Sequence, residues 1–585
     1  MSAPDLTTAA HAHQAGRLDE AERLYQECLQ ADPQNIEVMQ NLSALCFQRR
    51  DMAAAEDWAR KAIAIDANAA NSWNALGLAL KGQIKREAAI EALQKCVACD
   101  PSHYRAWSHL AEQLRWAERR EEAVQAIEQC LTIEPNYAAA VEVGLYLKLD
   151  ICDWQGLDKL IATARRLIRQ GGAINPFALL YVCLDAEELL LAGNTQAAKA
   201  AGVVADIPPL PARAPQTASR RLRIGYVSSQ FRAHPTSYLM AQMLAAHDRE
   251  QYEIFGYDYS RADDSDVVAK KMRSRFDVHR DITDCTAADA VAMIRGDEID
   301  ILVDVNGYAD GGRSEIFAAR AAPVQVSWLG CIATTGADYM DAIIFDDTMA
   351  PADEPTYCSE RVIRLPGSFF PSDDSRYVDE SALSRTDYGL PETGPVLCAF
   401  NQCRKLNPMI IDLWAKIMTA APDAQLWLWQ QNPIAVANIR AAFAARSIAP
   451  QRITAGPTLA SPLHLARYRQ ATLFLDAYPY NGHTMMSDAL FMATPTVTWR
   501  GPTLASRVGA SMLTALGCEE LIAESADDYV AIALRLIREP QWREQWVQQL
   551  SNPEVRTPVF SGEVYARKLE KAFAELTMQA MPGSV

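Results

Sequence analysis

Long apolar runs are missing from this chain of 585 residues. No stretch approaches the ~20 residues that a membrane-spanning helix needs, so a helical membrane protein is not expected. The opening "MSAPDLTTAAHAHQAG" lacks the basic start and apolar core of a secretory leader. Positive charge is in deficit, with 56 Lys and Arg against 73 Asp and Glu and a net charge of −17. That balance argues against non-specific binding to nucleic acid or anionic lipid, while leaving room for a local basic pocket. The 13 cysteines are scattered and odd in number, the pattern of reduced thiols in a cytoplasmic protein. "CVAC", with Cys96 and Cys99, has the CxxC spacing, but no second pair or His cluster accompanies it, so no metal site is expected. Neither GxGxxG nor GxxxxGK[ST] occurs at a strand-to-helix junction, which removes the usual signs of a dinucleotide or P-loop site.

What is present fits a soluble, multidomain chain: 49% apolar and 22% charged residues over a length too great for one core. The first quarter repeats. Ala21, Ala55, Ala89 and Ala123 recur every 34 residues, as do Asp32, Asp66, Asp100 and Glu134. Pro33, Ala67, Pro101 and Pro135 follow them, and Trp73 matches Trp107. That period, with small residues at fixed places, is the tetratricopeptide pattern of paired helices stacked into a curved superhelix. Residues 1–137 are read as four such repeats. Its concave groove is expected to take a protein or peptide, with a spacer or a homodimer surface as the competing account. Residues 138–219 read as a helical transition ending in the Pro-rich linker "DIPPLPARAPQTAS".

From there the pattern changes to short β-branched runs separated by helical stretches. "RLRIGYVSS", "YEIFGYDYS", "IDILVDVNGY", "PVQVSWLG" and "DAIIFDD" form one series. "PVLCAFNQ", "AQLWLWQQ", "RITAGP", "TLFLDAYP" and "TPTVTW" form another. Two α/β lobes with parallel sheets are expected, at 220–378 and 379–585, with a site at the carboxyl ends of strands and in the cleft between lobes. The fold class is thus α followed by α/β.

Four stretches carry the candidate chemistry. In "NGHTMMSDAL", Gly482 admits close backbone approach, and His483 and Thr484 can donate to an anion at a helix start. Asp488, four residues past Thr484, shares its helix face and can accept from a hydroxyl. An ordinary N-cap at Thr484 explains the same residues. In "CAFNQCRKLNP", a strand ends at Asn401 and Gln402, and Arg404 and Lys405 follow just past it, where a lysine can neutralise a diphosphate; a solvated basic pair is the alternative. His234, before the helix opened by Pro235 or Thr236, is disfavoured as a cation by the helix dipole and suits a base or a capping residue. His464 and Arg467 share a helix face in "SPLHLARYRQA", suited to a planar base and an anion, or simply to a surface helix.

Taken together and in order, these stretches resemble the tetratricopeptide-containing protein O-GlcNAc transferases of the SPINDLY type, in glycosyltransferase family 41. "GYVSSQFRAHPTSYLM", "DVNGYADGGRSEIFAARAAPVQVSWLG", "FNQCRKLNP" and "PYNGHTMMSDALFMATPTVTWRGPTLASRVGASML" carry the likeness, which reaches from the repeats to about Glu563. The resemblance implies a GT-B architecture of two Rossmann-like lobes and an inverting transfer of GlcNAc from UDP-GlcNAc to Ser or Thr of a protein. It implies no metal and no cofactor, and no DxD-like pair stands at a strand end. It gives Gly482, His483 and Thr484 to the diphosphate, Asp488 to the ribose, His464 to the uracil, and Lys405 with Gln402 and Arg467 to the donor. His234 matches the active-site histidine.

The chain departs from the family at three places around that donor. Met485 stands where a second Thr is usual, Arg404 where a Tyr precedes the lysine, and "CIATTG" (Cys331–Gly336) replaces the usual sugar-side loop. UDP-glucose or GDP-fucose is therefore the alternative donor, and a degenerate repeat scaffold the alternative function. In the array, Asn41 fits the family's peptide-clamping asparagine, but Ala75 and His109 occupy the next equivalents.

Overall fold

A computed structural model describes residues 6–182, 185–211, 220–263, 265–309, 311–379, 381, 383–430 and 432–580. Two compact units result. One reaches Lys148 and includes Ala162–Ala164; the other is Leu149–Ile161 with everything described from Arg165 onward.

The first unit is built from helix pairs: α1 (Leu6–Gln14) with α2 (Leu18–Ala31), α3 (Ile36–Gln48) with α4 (Met52–Ile65), α5 (Ala70–Gly82) with α6 (Arg86–Cys99), and α7 (Tyr104–Trp116) with α8 (Arg120–Ile133). A further helix, α9 (Ala138–Asp150), begins 34 residues after α7 and keeps the register. The periodic residues have periodic work. Ala21, Ala55, Ala89 and Ala123 are each fully buried where paired helices meet, because only a methyl group fits at that approach. Asp32, Asp66 and Asp100 each accept from the amide two residues on, and Glu134 does the same, closing each helix with a side-chain turn. Trp73 and Trp107 donate to the carbonyls of Ala67 and Pro101 at 2.8 and 3.0 Å. Gly16, Arg50, Ile84 and Glu118, again 34 apart, all turn the chain with positive φ (77°, 61°, 59° and 61°). Only the first is the glycine that this conformation favours. Cys96 is buried and Cys99 exposed at the end of α6, each a free thiol.

The second unit holds two parallel sheets. The first has seven strands: β1 (Leu222–Ser228), β2 (Tyr252–Asp258), β3 (Val278–Asp281), β4 (Ile301–Asp304), β5 (Val324–Ser327), β6 (Ala342–Phe345) and β7 (Arg361–Arg364), in the order β3-β2-β1-β4-β5-β6-β7. The second has six: β8 (Val396–Ala399), β9 (Gln425–Trp429), β10 (Ile453–Gly456), β11 (Leu473–Leu475), β12 (Thr496–Trp499) and β13 (Ile522–Ala523), in the order β10-β9-β8-β11-β12-β13. Every registered strand pair is parallel. β4, β5, β6 and β8 are buried along their whole length, as strands covered on both faces must be. In each sheet the order reverses beside the first strand, so a crevice opens at the carboxyl ends there.

One sequence boundary is corrected. The last helix, Gly562–Ala580, was expected with the second sheet but packs on the first lobe. Glu570 accepts from His247 Nδ1 at 2.9 Å, and the Tyr565 hydroxyl receives Trp328 Nε1 of the first lobe at 2.9 Å. Both pairs are buried, so the helix hides polar and aromatic groups that β1 and β5 would otherwise leave uncovered. The expected linker lies partly, at 212–219, outside the described residues. Among the described residues, no helix is long and apolar enough to cross a membrane.

Candidate active site

Directly after β11 comes an aspartate, Asp476, that is fully buried. Its Oδ1 accepts from the amides of Gly482 (2.5 Å) and Ala477 (2.8 Å), and its Oδ2 from Thr498 Oγ1 (2.6 Å). The chain therefore folds back over the carboxylate before the helix Thr484–Phe491 begins. A Cβ on Gly482 would sit 2.5 Å from Asn401 Oδ1 and 2.9 Å from Asp476 Oδ1, which is why no side chain is tolerated there. Lys405 reaches the same loop from the end of β8. Its Nζ donates to Asn481 O at 2.6 Å and lies 3.9 Å above the Tyr480 ring. Burial pulls the Lys405 ammonium down to about 7 against the opposing charge of Asp476, with Arg404 adding to the fall. Burial likewise raises Asp476, against its hydrogen bonds from Thr498 and Gly482 and the charge of Lys405.

His483 occupies the N-cap of the helix Thr484–Phe491 and makes no side-chain cap. The amides of that first turn are left with their positive dipole end outward. His483 packs edge-on to Tyr480 at 4.8 Å and to Phe370 at 6.1 Å; its Nε2 is buried with no hydrogen-bond partner among the described residues. Burial, aided by Lys405, holds this imidazole well below its usual range. Asn401, next to the loop, is 3% exposed, and neither side-chain polar atom has a hydrogen-bond partner among the described residues. A lysine, a neutral imidazole, an uncapped helix start and an unsatisfied amide thus surround one loop. Such a set binds an anion with several acceptor oxygens.

Beside it a cavity of about 690 Å³ opens between the lobes. One wall comes from the first lobe: Pro235, Tyr238 and Leu239 on the helix Pro235–Ala246, and Val267, Val268, Lys271 and Met272 beyond β2. Ser372–Tyr377 contributes Arg376 and Tyr377, and the second lobe contributes Trp429, Thr458, His464, Thr484, Met485 and Asp488. Asp488 is held from both sides, with Oδ1 paired to Arg376 and Oδ2 3.2 Å from His464 Nε2. Burial works to raise this carboxyl, but His464 and Arg376 outweigh it and hold it below the usual range. His464 stands edge-on to Tyr468 at 5.4 Å, and burial lowers its pKa.

His234 caps the helix Pro235–Ala246, its Nδ1 accepting from Thr236 N at 3.3 Å. Its pKa falls to about 4, chiefly through burial and secondly through Arg232. Desolvation, rather than the helix dipole invoked from sequence, is the main force favouring the neutral form. Gln402 is exposed and precedes the turn Cys403–Lys405 without lining the cavity.

Arg467 departs most from its expected place. The helix bearing His464 ends at Ala466, and Arg467 turns inward, 1% exposed, with its guanidinium 3.8 Å over Phe400. An anion in the cavity has no access to it, because it serves as a buried cation on an aromatic face. Cys331–Gly336 is also packed inside: Thr334 and Thr335 both donate to Glu360, and a Cβ on Gly336 would meet Asn194 N at 2.2 Å.

Sequence reading missed Asp476, Asn401 and Arg376. Asp476 had a signal, a lone charge closing the apolar run "TLFLD". Arg376 had none, because its segment has no period.

The family description "Glycosyl transferase family 41" matches residues 209–383 and 377–569. "Tetratricopeptide repeat" descriptions match 12–79 and 70–103. A probable UDP-N-acetylglucosamine–peptide N-acetylglucosaminyltransferase SEC from Arabidopsis thaliana is 30% identical over 73% of this chain and 45% of its own length. A probable enzyme of the same name, SPINDLY, from Oryza sativa subsp. japonica is 31% identical over 62% of this chain and 39% of its own. The chain thus spans less than half the length of these relatives. A solved lysine-to-methionine variant of the O-GlcNAc transferase of Thermobaculum terrenum superposes over 93% of this chain and 98% of its own, with TM-score 0.67 and 26% identity.

Proposed function

The chain belongs to glycosyltransferase family 41, and we propose that it transfers GlcNAc from UDP-GlcNAc to a Ser or Thr hydroxyl of a protein. The observation that carries this reading is the shared loop Asn481–Thr484, where Lys405 meets an uncapped helix start beside an interlobe cavity. The names of the relatives supply the donor and the peptide acceptor.

In this reading the diphosphate lies on Gly482, His483 and Thr484, with Lys405 against the leaving oxygen. As the C1–O bond breaks, charge grows on the departing UDP, and the ammonium and helix dipole stabilise it with no reorganisation. The acceptor hydroxyl attacks C1 from the opposite face, so the configuration inverts. Its proton passes toward neutral His234 or to water. The nucleoside occupies the cavity, with His464 against the base and Asp488 toward the ribose. No metal or further cofactor is assigned a step. The array holds the protein acceptor in its groove, with a homodimer surface as the competing account.

Calorimetric titration with UDP and GDP tests the donor assignment. UDP is expected to bind in the micromolar range, about −8 kcal/mol. Because the free Lys405 ammonium sits near 7, UDP binding above that pH should take up protons as the diphosphate restores the charge. Two buffers of different ionisation enthalpy report this directly. GDP binding in preference to UDP would move the reading to a guanine donor; binding of neither would leave the repeats as the functional part.

A further inference from the structure

We infer that the segment Asp150–Trp154 positions the turn carrying Lys405, a role that rests on the transferase reading of that turn. None of its residues has a chemical signature in sequence. Yet three of them grip Cys403–Leu406. Asp150 Oδ1 pairs with Arg404 Nε at 3.0 Å, Cys152 Sγ donates to Cys403 O at 3.5 Å, and Trp154 Nε1 donates to Leu406 O at 3.2 Å. The two carbonyls flank Lys405 on either side. The segment is itself anchored to the second lobe, since Asn432 Nδ2 donates to Asp150 O at 2.8 Å and Asn438 Nδ2 to Ile151 O at 2.9 Å. These contacts span 251 and 252 positions for Cys152 and Trp154.

A short turn has few internal hydrogen bonds; among the described residues, Lys405 N→Gln402 O and Leu406 N→Cys403 O are the backbone bonds that close it. The outside donors therefore decide how Lys405 is aimed. Charge matters as well. Lys405 faces Asp476 from the end of β11, His483 from the phosphate-side loop, and Arg404 on its own turn. Arg404 stands 5.5 Å over Tyr181, and Tyr181 contacts Tyr480 at 4.9 Å, so the same side chain also braces the ring beneath Lys405. Asp150 neutralises Arg404. Arg404 already lowers the neighbouring ammonium, and losing the Asp150 carboxylate strengthens that effect.

The test is UDP titration of the full chain across about pH 6 to 8.5, on wild type, Asp150→Asn, Trp154→Phe and Asp150→Asn/Arg404→Gln. Asp150→Asn should match wild type at the acid end and bind UDP about threefold or more weakly at the alkaline end. Removing Arg404 as well should restore the wild-type pH dependence, which a merely structural role would not do. Trp154→Phe should weaken UDP by about threefold at every pH, because it loses aim and no charge. If Asp150→Asn melts early, the Trp154→Phe result decides. An Asp150→Asn pH profile identical to wild type, or a Trp154→Phe affinity identical to wild type, overturns the inference. A wild type that ignores UDP instead overturns the transferase reading beneath it.

Discussion

In the repeat array, Ala21, Ala55, Ala89 and Ala123 are buried where one helix meets the next in sequence. In the two-sheet unit, Lys405 is also buried, but its hydrogen-bond partner Asn481 lies 76 positions away. Array burial is local and repeated, so losing one contact disturbs one repeat and its neighbours. Site burial gathers charged groups from β8, β11 and the loop after it, so losing one leaves another charge uncompensated. Array changes should therefore move stability without touching donor binding, and site changes should move binding first.

The largest effect expected is at Lys405. Lys405→Met should cut transfer by about 10²–10³-fold and weaken UDP, measured by single-turnover transfer and calorimetry. A variant that retains wild-type turnover would end the comparison as drawn.

Next come two glycines in the two regions. Gly482→Ala drives a methyl group to 2.5 Å from Asn401 Oδ1, and Gly77→Ala drives one to 2.7 Å from Leu93 Cγ. Each should cost about 1–3 kcal/mol by overpacking. Only Gly482→Ala should also weaken UDP, by about tenfold or more, because it shifts the loop. Equal UDP affinity in both variants, read beside their melting curves, would erase the distinction.

The smallest effect is a gain. Ile84 holds φ 59° where the first repeat has Gly16. A β-branched residue is strained there, so Ile84→Gly should stabilise the array by up to about 1 kcal/mol, after the extra freedom of the unfolded glycine is subtracted. Melting should detect it, and UDP titration should not.

The difference also explains which parts were legible. The array could be read to the residue because its contacts recur every 34 positions, and a repeated contact leaves a repeated letter. The two lobes were legible as alternating strands and helices, since burial on both faces demands continuous β-branched runs. The site was legible only where residue type and local geometry agree: Gly482 needing room, His483 and Thr484 at a helix start, His234 at another. Arg467 was misplaced because helical periodicity was extended one residue past Ala466, where the backbone tightens and points the side chain inward. Arg376, Asn401 and Asp150 were invisible for a related reason. Their importance lies in what they face across the fold, and nothing adjacent in sequence marks it.

The sequence by itself therefore determined the repeat, the two parallel sheets and the loop that opens at Gly482, all of which follow from local spacing and side-chain shape. Tertiary structure decided the downward pKa shifts that burial gives Lys405, His234 and His483, the pairing of Asp488 with Arg376, and the grip of Asp150–Trp154 on Cys403–Leu406. Those depend on desolvation and on groups brought together from far along the chain, and neither quantity exists until the chain has folded.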